Sequence, residues 1–208
     1  MTRTYTCRRR GETAAATRRR ILDAAAALYA ERGVSDTTLQ AVAERADVAR
    51  GTIVHHFTGV DGLLEAVLDA AIESLEMPDD GELATIPLAA DRIRWLTREM
   101  YAFFERSGNW YETFRSEFGR PAVAARAEWF WTEANRLTAT ALGDLAQDRL
   151  LAATVGGLVH PATLGALQEN GLSVNEAAAM VGEALASMVA DAEHAGPSVK
   201  ATGPVRRG

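Results

Sequence analysis

RADVARGTIVHHF, residues 45–57, decides how this chain reads. Ile53 and Phe57 stand one helical turn apart and fit anchors that pin a short helix to a core. Arg50, Thr52, His55 and His56 fall on its outside, a crowd of hydrogen-bonding groups that a helix serving only to bury apolar surface does not need. Gly51 lies inside the same helix and, lacking a side chain, lets it approach another surface closely. Just before it, Ala46-Asp47-Val48 reads as a turn. Asp47 falls where a left-handed residue fits, and Asp tolerates that conformation better than most.

The upstream sequence supplies the partners. A helix begins at Thr17, with Ile21, Leu22, Ala25, Leu28 and Tyr29 forming one apolar stripe. Gly33 ends it, as glycine past a C-terminus does. Thr37 is expected to cap a second helix, with Gln40 completing a capping box. Leu39, Val42, Ala43 and Ala46 form that helix's buried face, and a third helix runs from about Ala49 to His56. Two helices joined by a three-residue turn, the second short and rich in donors, are the pattern of a helix-turn-helix reader of duplex DNA. Thr38, Gln40, Arg50, Gly51, Thr52, His55 and His56 are the candidate DNA-contacting residues. Arg50 is the best placed, since a guanidinium can bond both acceptors of guanine. Thr52 suits a phosphate or a thymine methyl.

Charge supports a polyanionic partner for this end alone. The chain of 208 residues has a net charge of −6. Residues 1–57 hold ten arginines against six acids, a net +4, which leaves −10 for residues 58–208. Such asymmetry suggests a nucleic-acid-binding first quarter, although arginines that merely solubilise an end would look alike. At 48% hydrophobic and 24% charged the chain has a globular composition. No apolar run approaches the ~18 residues of a membrane span, and no secretory signal is recognisable. The single cysteine, Cys7, has no partner for an internal disulfide, which suits a cytoplasmic location.

Downstream the pattern stays helical. Helices are expected at Gly59 to Glu76, 88–106, 109–118, 121–142, 145–169 and 174–194, with a loop, MPDDGELATIP, after the first. Ser173 and Glu176 form a capping box at the last. No period-two alternation suggests a sheet, so the fold class expected is all-α.

Residues 17–64, TRRRILDAAAALYAERGVSDTTLQAVAERADVARGTIVHHFTGVDGLL, resemble the DNA-binding segment of TetR-family transcriptional regulators. The matching positions are Gly33, Thr37, Thr38, Val42, Ala43, Ala46, Val48, Gly51, Thr52, Ile53, His56 and Phe57, in register over about fifty residues. The arginine-rich residues 1–14 read as a disordered basic arm and 196–208, with two prolines, as a disordered tail. The resemblance implies a helix-turn-helix DNA-binding domain of three helices at 15–58 and a larger helical ligand-binding and dimerisation domain at 59–195. Three positions depart from the family pattern. Val54 stands where a phosphate-binding tyrosine is usual, Val60 where a lysine touches the DNA backbone, and Asp47 where the turn has glycine. The two valines remove phosphate contacts and flatten the salt dependence of binding, unless Arg8–Arg10 or Arg18–Arg20 compensate from a minor groove.

Eleven of the fourteen aromatic residues follow residue 94. Trp95, Phe103, Trp110, Tyr111, Phe114 and Trp131 are candidates to enclose a flat or greasy effector, with Glu99, Asn109 and Arg115 near them. An aromatic stripe serves equally as ordinary core. His160, beside Pro161, is either a hydrogen-bonded histidine at a kink or a ligand contact. The final two helices offer Leu150, Leu151, Val155, Leu158, Leu185, Met188 and Val189 for packing two copies as a four-helix bundle, with Gly156 and Gly157 allowing close crossing.

The function expected is a ligand-responsive DNA-binding regulator, a homodimeric repressor released from a palindromic operator by a small aromatic or hydrophobic effector. The alternative is a small-molecule sensor or carrier with weakened DNA binding. No G-x-S-x-G, H-E-x-x-H, phosphate-binding glycine loop or paired cysteine motif occurs, so no catalytic residue, metal site or cofactor is expected, nor a membrane partner.

Overall fold

The computed structural model describes residues 3–74, 76–108 and 110–195. Among them every regular element is a helix. The chain divides into two compact units, one made of Met1–Met77 with Arg106–Thr132 and the other of Pro78–Glu105 with Glu133–Gly208. This grouping differs from a split at 58/59, because the head's own core takes in later residues.

In the first unit α1 (Arg3–Arg32) buries Ile21, Leu22, Ala25, Leu28 and Tyr29. The sequence predicts a start at Thr17 after a disordered arm. Instead the backbone is helical from Arg3, since no proline interrupts residues 3–17 and propagation costs little once a helix is anchored. Gly33 takes the left-handed conformation at φ 84° and donates its N–H to Tyr29 O at 2.9 Å, ending α1.

α2 (Leu39–Arg45) is capped by Thr38, not Thr37: Thr38 Oγ1 accepts from the Ala41 N–H at 3.1 Å. Thr37 is buried, and its hydroxyl donates to Gly33 O at 2.7 Å. The expected capping box is therefore absent, with Gln40 turned to Glu44 instead. Asp47 has φ 51°, the left-handed turn residue that the sequence suggests. α3 (Arg50–His56) follows, then α4 (Gly59–Ser74), which buries Leu63, Leu64, Val67 and Leu68. α7 (Trp110–Phe114) is shorter than expected. It passes into a 3-10 turn, Arg115–Glu117, before α8 (Pro121–Leu142), whose residues to Thr132 belong to this unit. Phe114 and Val123 join α1–α4 in one apolar core.

The second unit holds α5 (Asp80–Leu83), a short helix within the expected loop, capped by Asp79 Oδ1. α6 (Ala89–Arg106) is tied to α11 (Val174–Ala195) by Arg94, whose guanidinium donates to both Glu183 oxygens at 2.8 and 3.0 Å. Arg92 donates to the carbonyls of Ala141 and Pro87. The expected 145–169 helix is three pieces: a 3-10 turn Gly143–Gln147, α9 (Arg149–Leu158) and α10 (Pro161–Glu169). Proline at the start of α10 cannot donate an N–H and holds His160 extended, which breaks the helix rather than bending it. The Ser173–Glu176 capping box forms as expected, Ser173 donating its N–H and hydroxyl to Glu176 while the Glu176 N–H returns to Ser173. The expected tail, 196–208, and Asn109 lie outside the described residues.

Candidate nucleic-acid interface

α3 is only seven residues long, so its orientation depends on what it is bolted to. Ile53 is fully buried and Phe57 is 5% exposed, and both belong to the core shared with α1, α2 and α4. Burying two such side chains is worth about 1.5–3 kcal/mol each, enough to fix which face looks outward. The guanidinium carbon of Arg18 stands 5.1 Å above the Phe57 ring, adding a cation–π contact from α1.

With those anchors set, the outward face is Arg50, Gly51, Val54 and His55, all exposed. Arg50 forms no ion pair among the described residues, so its guanidinium faces solvent uncommitted. Thr52 and His56 are half-buried at the flanks, His56 lying 6.2 Å from the Phe57 ring and 5.7 Å from His55. Thr38 and Gln40 are exposed at the start of α2, with Thr38 spent as a cap and Gln40 donating to Glu44 at 2.8 Å.

Gly51 is informative because nothing inside the protein requires it. A Cβ built there meets no atom within 4 Å, and its φ is not positive. Helical glycine costs stability relative to alanine, so an internal account of this residue is lacking. Val54 is 54% exposed and Val60 40%, both apolar side chains open to solvent.

A polar chain that sequence reasoning missed joins this head to the segment after α7. Ser35 donates to Glu117 Oε1 at 2.7 Å, Arg120 Nε donates to Glu117 Oε2 at 2.6 Å, and Arg120 reaches Asp61 at 3.4 Å. Donation by Arg120, and then by Ser35, holds the Glu117 carboxyl below the usual carboxylate range. Arg126 on α8 bonds Asp69 on α4 at 2.7 Å. No signal in the sequence links Ser35 to a glutamate 82 positions away.

The seven candidate effector residues divide between the units. Trp110, Tyr111, Phe114 and Trp131 fall in the first, where Trp110 meets Phe130 at 5.2 Å and Tyr111 meets Trp131 at 6.4 Å, both edge-on. Trp110 and Phe114, with Phe118, Phe130, Leu68 and Arg126, line an apolar cavity of about 40 Å³. The Trp110 indole N–H is buried without a partner. Tyr111 and Trp131 are half-buried beside it. Trp95, Phe103 and His160 belong to the second unit. Trp95 and Phe103 are buried there, and the Trp95 N–H is also unpartnered. His160 Nδ1 accepts the Ala162 N–H at 3.1 Å, capping α10, and burial pushes its pKa down. Glu99 pairs with Arg98 and Arg115 with Glu112.

Comparison with known proteins bears on the same stretch. The family profile for bacterial regulatory proteins, tetR family, matches residues 21–67. The HTH-type transcriptional regulator SrpR of Pseudomonas putida is 44% identical over 68 residues, 31% of this chain and 32% of its own length. TtgR, another HTH-type transcriptional regulator of Pseudomonas putida, is 43% identical over 67 residues, 32% of each chain. The chain thus spans about a third of the length of these relatives. Similarity of fold reaches further. A TetR-like transcriptional regulator from Rhodococcus sp. RHA1 superposes with a TM-score of 0.63 at 18% identity, covering 84% of this chain and 96% of that one. The transcriptional regulator FadR from Bacillus subtilis, solved in complex with stearoyl-CoA, gives 0.60 at 17% identity, covering 81% and 97%.

Proposed function

We propose that the chain is a regulator of the tetR family, whose profile its residues 21–67 match, and that it acts as a ligand-responsive repressor of transcription. In this reading a cytoplasmic homodimer holds a palindromic operator and a small aromatic or hydrophobic effector releases it. The observation that carries the reading is the outward face of α3. An uncommitted arginine and a glycine with no internal purpose stand on a helix whose opposite side is locked into the core. Arg50 supplies the bidentate contact to guanine, Gly51 permits close approach, and Thr38, Gln40, Thr52, His55 and His56 complete the contact surface.

The effector reading rests on the aromatic cavity of the first unit. At about 40 Å³ it holds little more than a water, whereas small-molecule pockets run to about 300–1,000 Å³. An effector seated in that cavity must therefore displace aromatic side chains, whereas an open pocket of about 790 Å³ in the same unit, lined by Arg18, Leu22, Trp110 and Phe114, has room without displacement. The unpartnered Trp110 N–H favours a ligand carrying an acceptor. Phe114 lines that cavity and meets Tyr29 of α1 edge-on at 6.3 Å, giving displacement a direct route to the head. FadR from Bacillus subtilis, of similar fold, was solved with stearoyl-CoA, whose acyl chain is apolar, which supports a hydrophobic component in the ligand. Trp95, Phe103 and His160 are proposed only as supporting elements of the second unit.

Dimerisation is proposed through α9 and α11. Leu151, Val155, Leu185 and Val189 are buried inside the chain, but Leu150 on α9 is 81% exposed and Met180 and Met188 on α11 are exposed as well. Positions Gly156 and Gly157 have no neighbour within 4 Å of a built Cβ, which leaves room for a second copy. Val54 and Val60, exposed in place of two phosphate-binding residues, favour the second reading, a sensor with weakened DNA binding. Gel shift on the DNA upstream of its own gene separates the two. A specific shift abolished by Arg50→Ala supports the regulator, and no shift at low salt supports the sensor.

A further inference from the structure

We infer that Val54 reads a thymine methyl group in the major groove, next to the base read by Arg50. The inference rests on the DNA-binding reading above. Val54 is 54% exposed, whereas Ile53 on the same helix and Phe57 just past its end are 5% exposed or less. The Val54 side chain lies on the solvent side of the helix, since more than half of its surface is exposed while Ile53 is fully buried.

Three features make base contact the use for it. Arg50 and Val54 are separated by four positions on the exposed line of α3, about 6 Å along the axis, so they face bases one or two steps apart at about 3.4 Å per step. Valine is short and reaches a base edge only if the helix backbone comes close. Gly51, one turn earlier on the same exposed line, provides that approach, with nothing of the protein within 4 Å of where its Cβ would be. Finally, valine has no donor or acceptor, so it gains nothing from a phosphate. The apolar feature of the major-groove edge is the 5-methyl of thymine. The position thus contributes selectivity at a base rather than grip on the backbone.

The test uses the full-length protein and the operator recovered by in vitro selection. Each thymine of the half-site is replaced in turn by deoxyuridine, which deletes the methyl and leaves pairing intact. The wild type should lose affinity at one thymine within two base pairs of the guanine lost to Arg50→Ala, by about fourfold per half-site, the worth of one buried methyl. Val54→Ala, at an exposed helical position where alanine is well tolerated, should bind the thymine and uracil operators equally. Uniform tolerance of deoxyuridine by the wild type overturns the inference, as does a penalty that persists unchanged in Val54→Ala. Both leave the regulator reading standing. Failure to enrich any sequence removes that reading and this inference together.

Discussion

Replacing Gly51 by alanine should move stability and DNA binding in opposite directions. The glycine is in α3, has ordinary helical φ, and a Cβ there meets no atom within 4 Å. Alanine therefore fits without strain and lowers the entropy of the unfolded chain. The expected gain is about 0.5 kcal/mol, or roughly 1–2 °C in Tm for a protein of this size. On the operator the same methyl stands between the helix and the DNA. Holding α3 off by the width of one carbon removes the geometry of a bidentate Arg50 contact, worth about 1–3 kcal/mol, so affinity should fall tenfold or more. Urea denaturation and fluorescence anisotropy on a labelled operator give the two numbers. A variant that is stabilised yet binds as tightly as the wild type would refute close approach as the purpose of the glycine. One that is destabilised would mean that the fold requires it after all.

Removing Glu117 should loosen the head: Glu117→Ala leaves Ser35 and Arg120 without their shared acceptor and should cost about 1.5–3 kcal/mol in urea denaturation. Its carboxyl titrates below the ordinary 4.5, so its contribution is whole above that value and is lost as pH falls through the folded pKa; the stability gap to Glu117→Gln should close accordingly in acid. Ile53→Ala, at a fully buried position, should cost about 2–5 kcal/mol and abolish operator binding through unfolding rather than lost contact, which circular dichroism would distinguish. Deleting residues 1–14 should reduce operator affinity and the slope of log affinity against log salt; an unchanged slope would make the arginines there idle.

How much of this is legible in the sequence follows from the range of each interaction. The helix-turn-helix is readable because its determinants are local. Apolar spacing, Gly33 and the left-handed Asp47 each act within a turn or two, and Ile53 and Phe57 are buried as their spacing requires. The neighbouring threonines mislead because either fits a cap by type. What decides is that the Thr37 hydroxyl reaches Gly33 O across the turn, leaving Thr38 to cap. Pro161 carries a signal that reads as a kink, yet with His160 held extended it ends one helix and starts another. The Ser35–Glu117–Arg120–Asp61 chain has no local signature, since it exists only once α7 and α8 are packed on the head. Aromatic content after residue 94 hints at a single enclosure, but periodicity carries no information on which unit each ring joins, and the rings divide between two.

Selection of bound duplexes from a random pool by the purified full-length protein addresses the central claim most directly. The expected result is enrichment of an inverted repeat with half-site centres about 34–36 Å apart, each half carrying a guanine whose preference disappears in Arg50→Ala. A pool that stays random after repeated rounds at low salt, or a motif that Arg50→Ala selects unchanged, would contradict it.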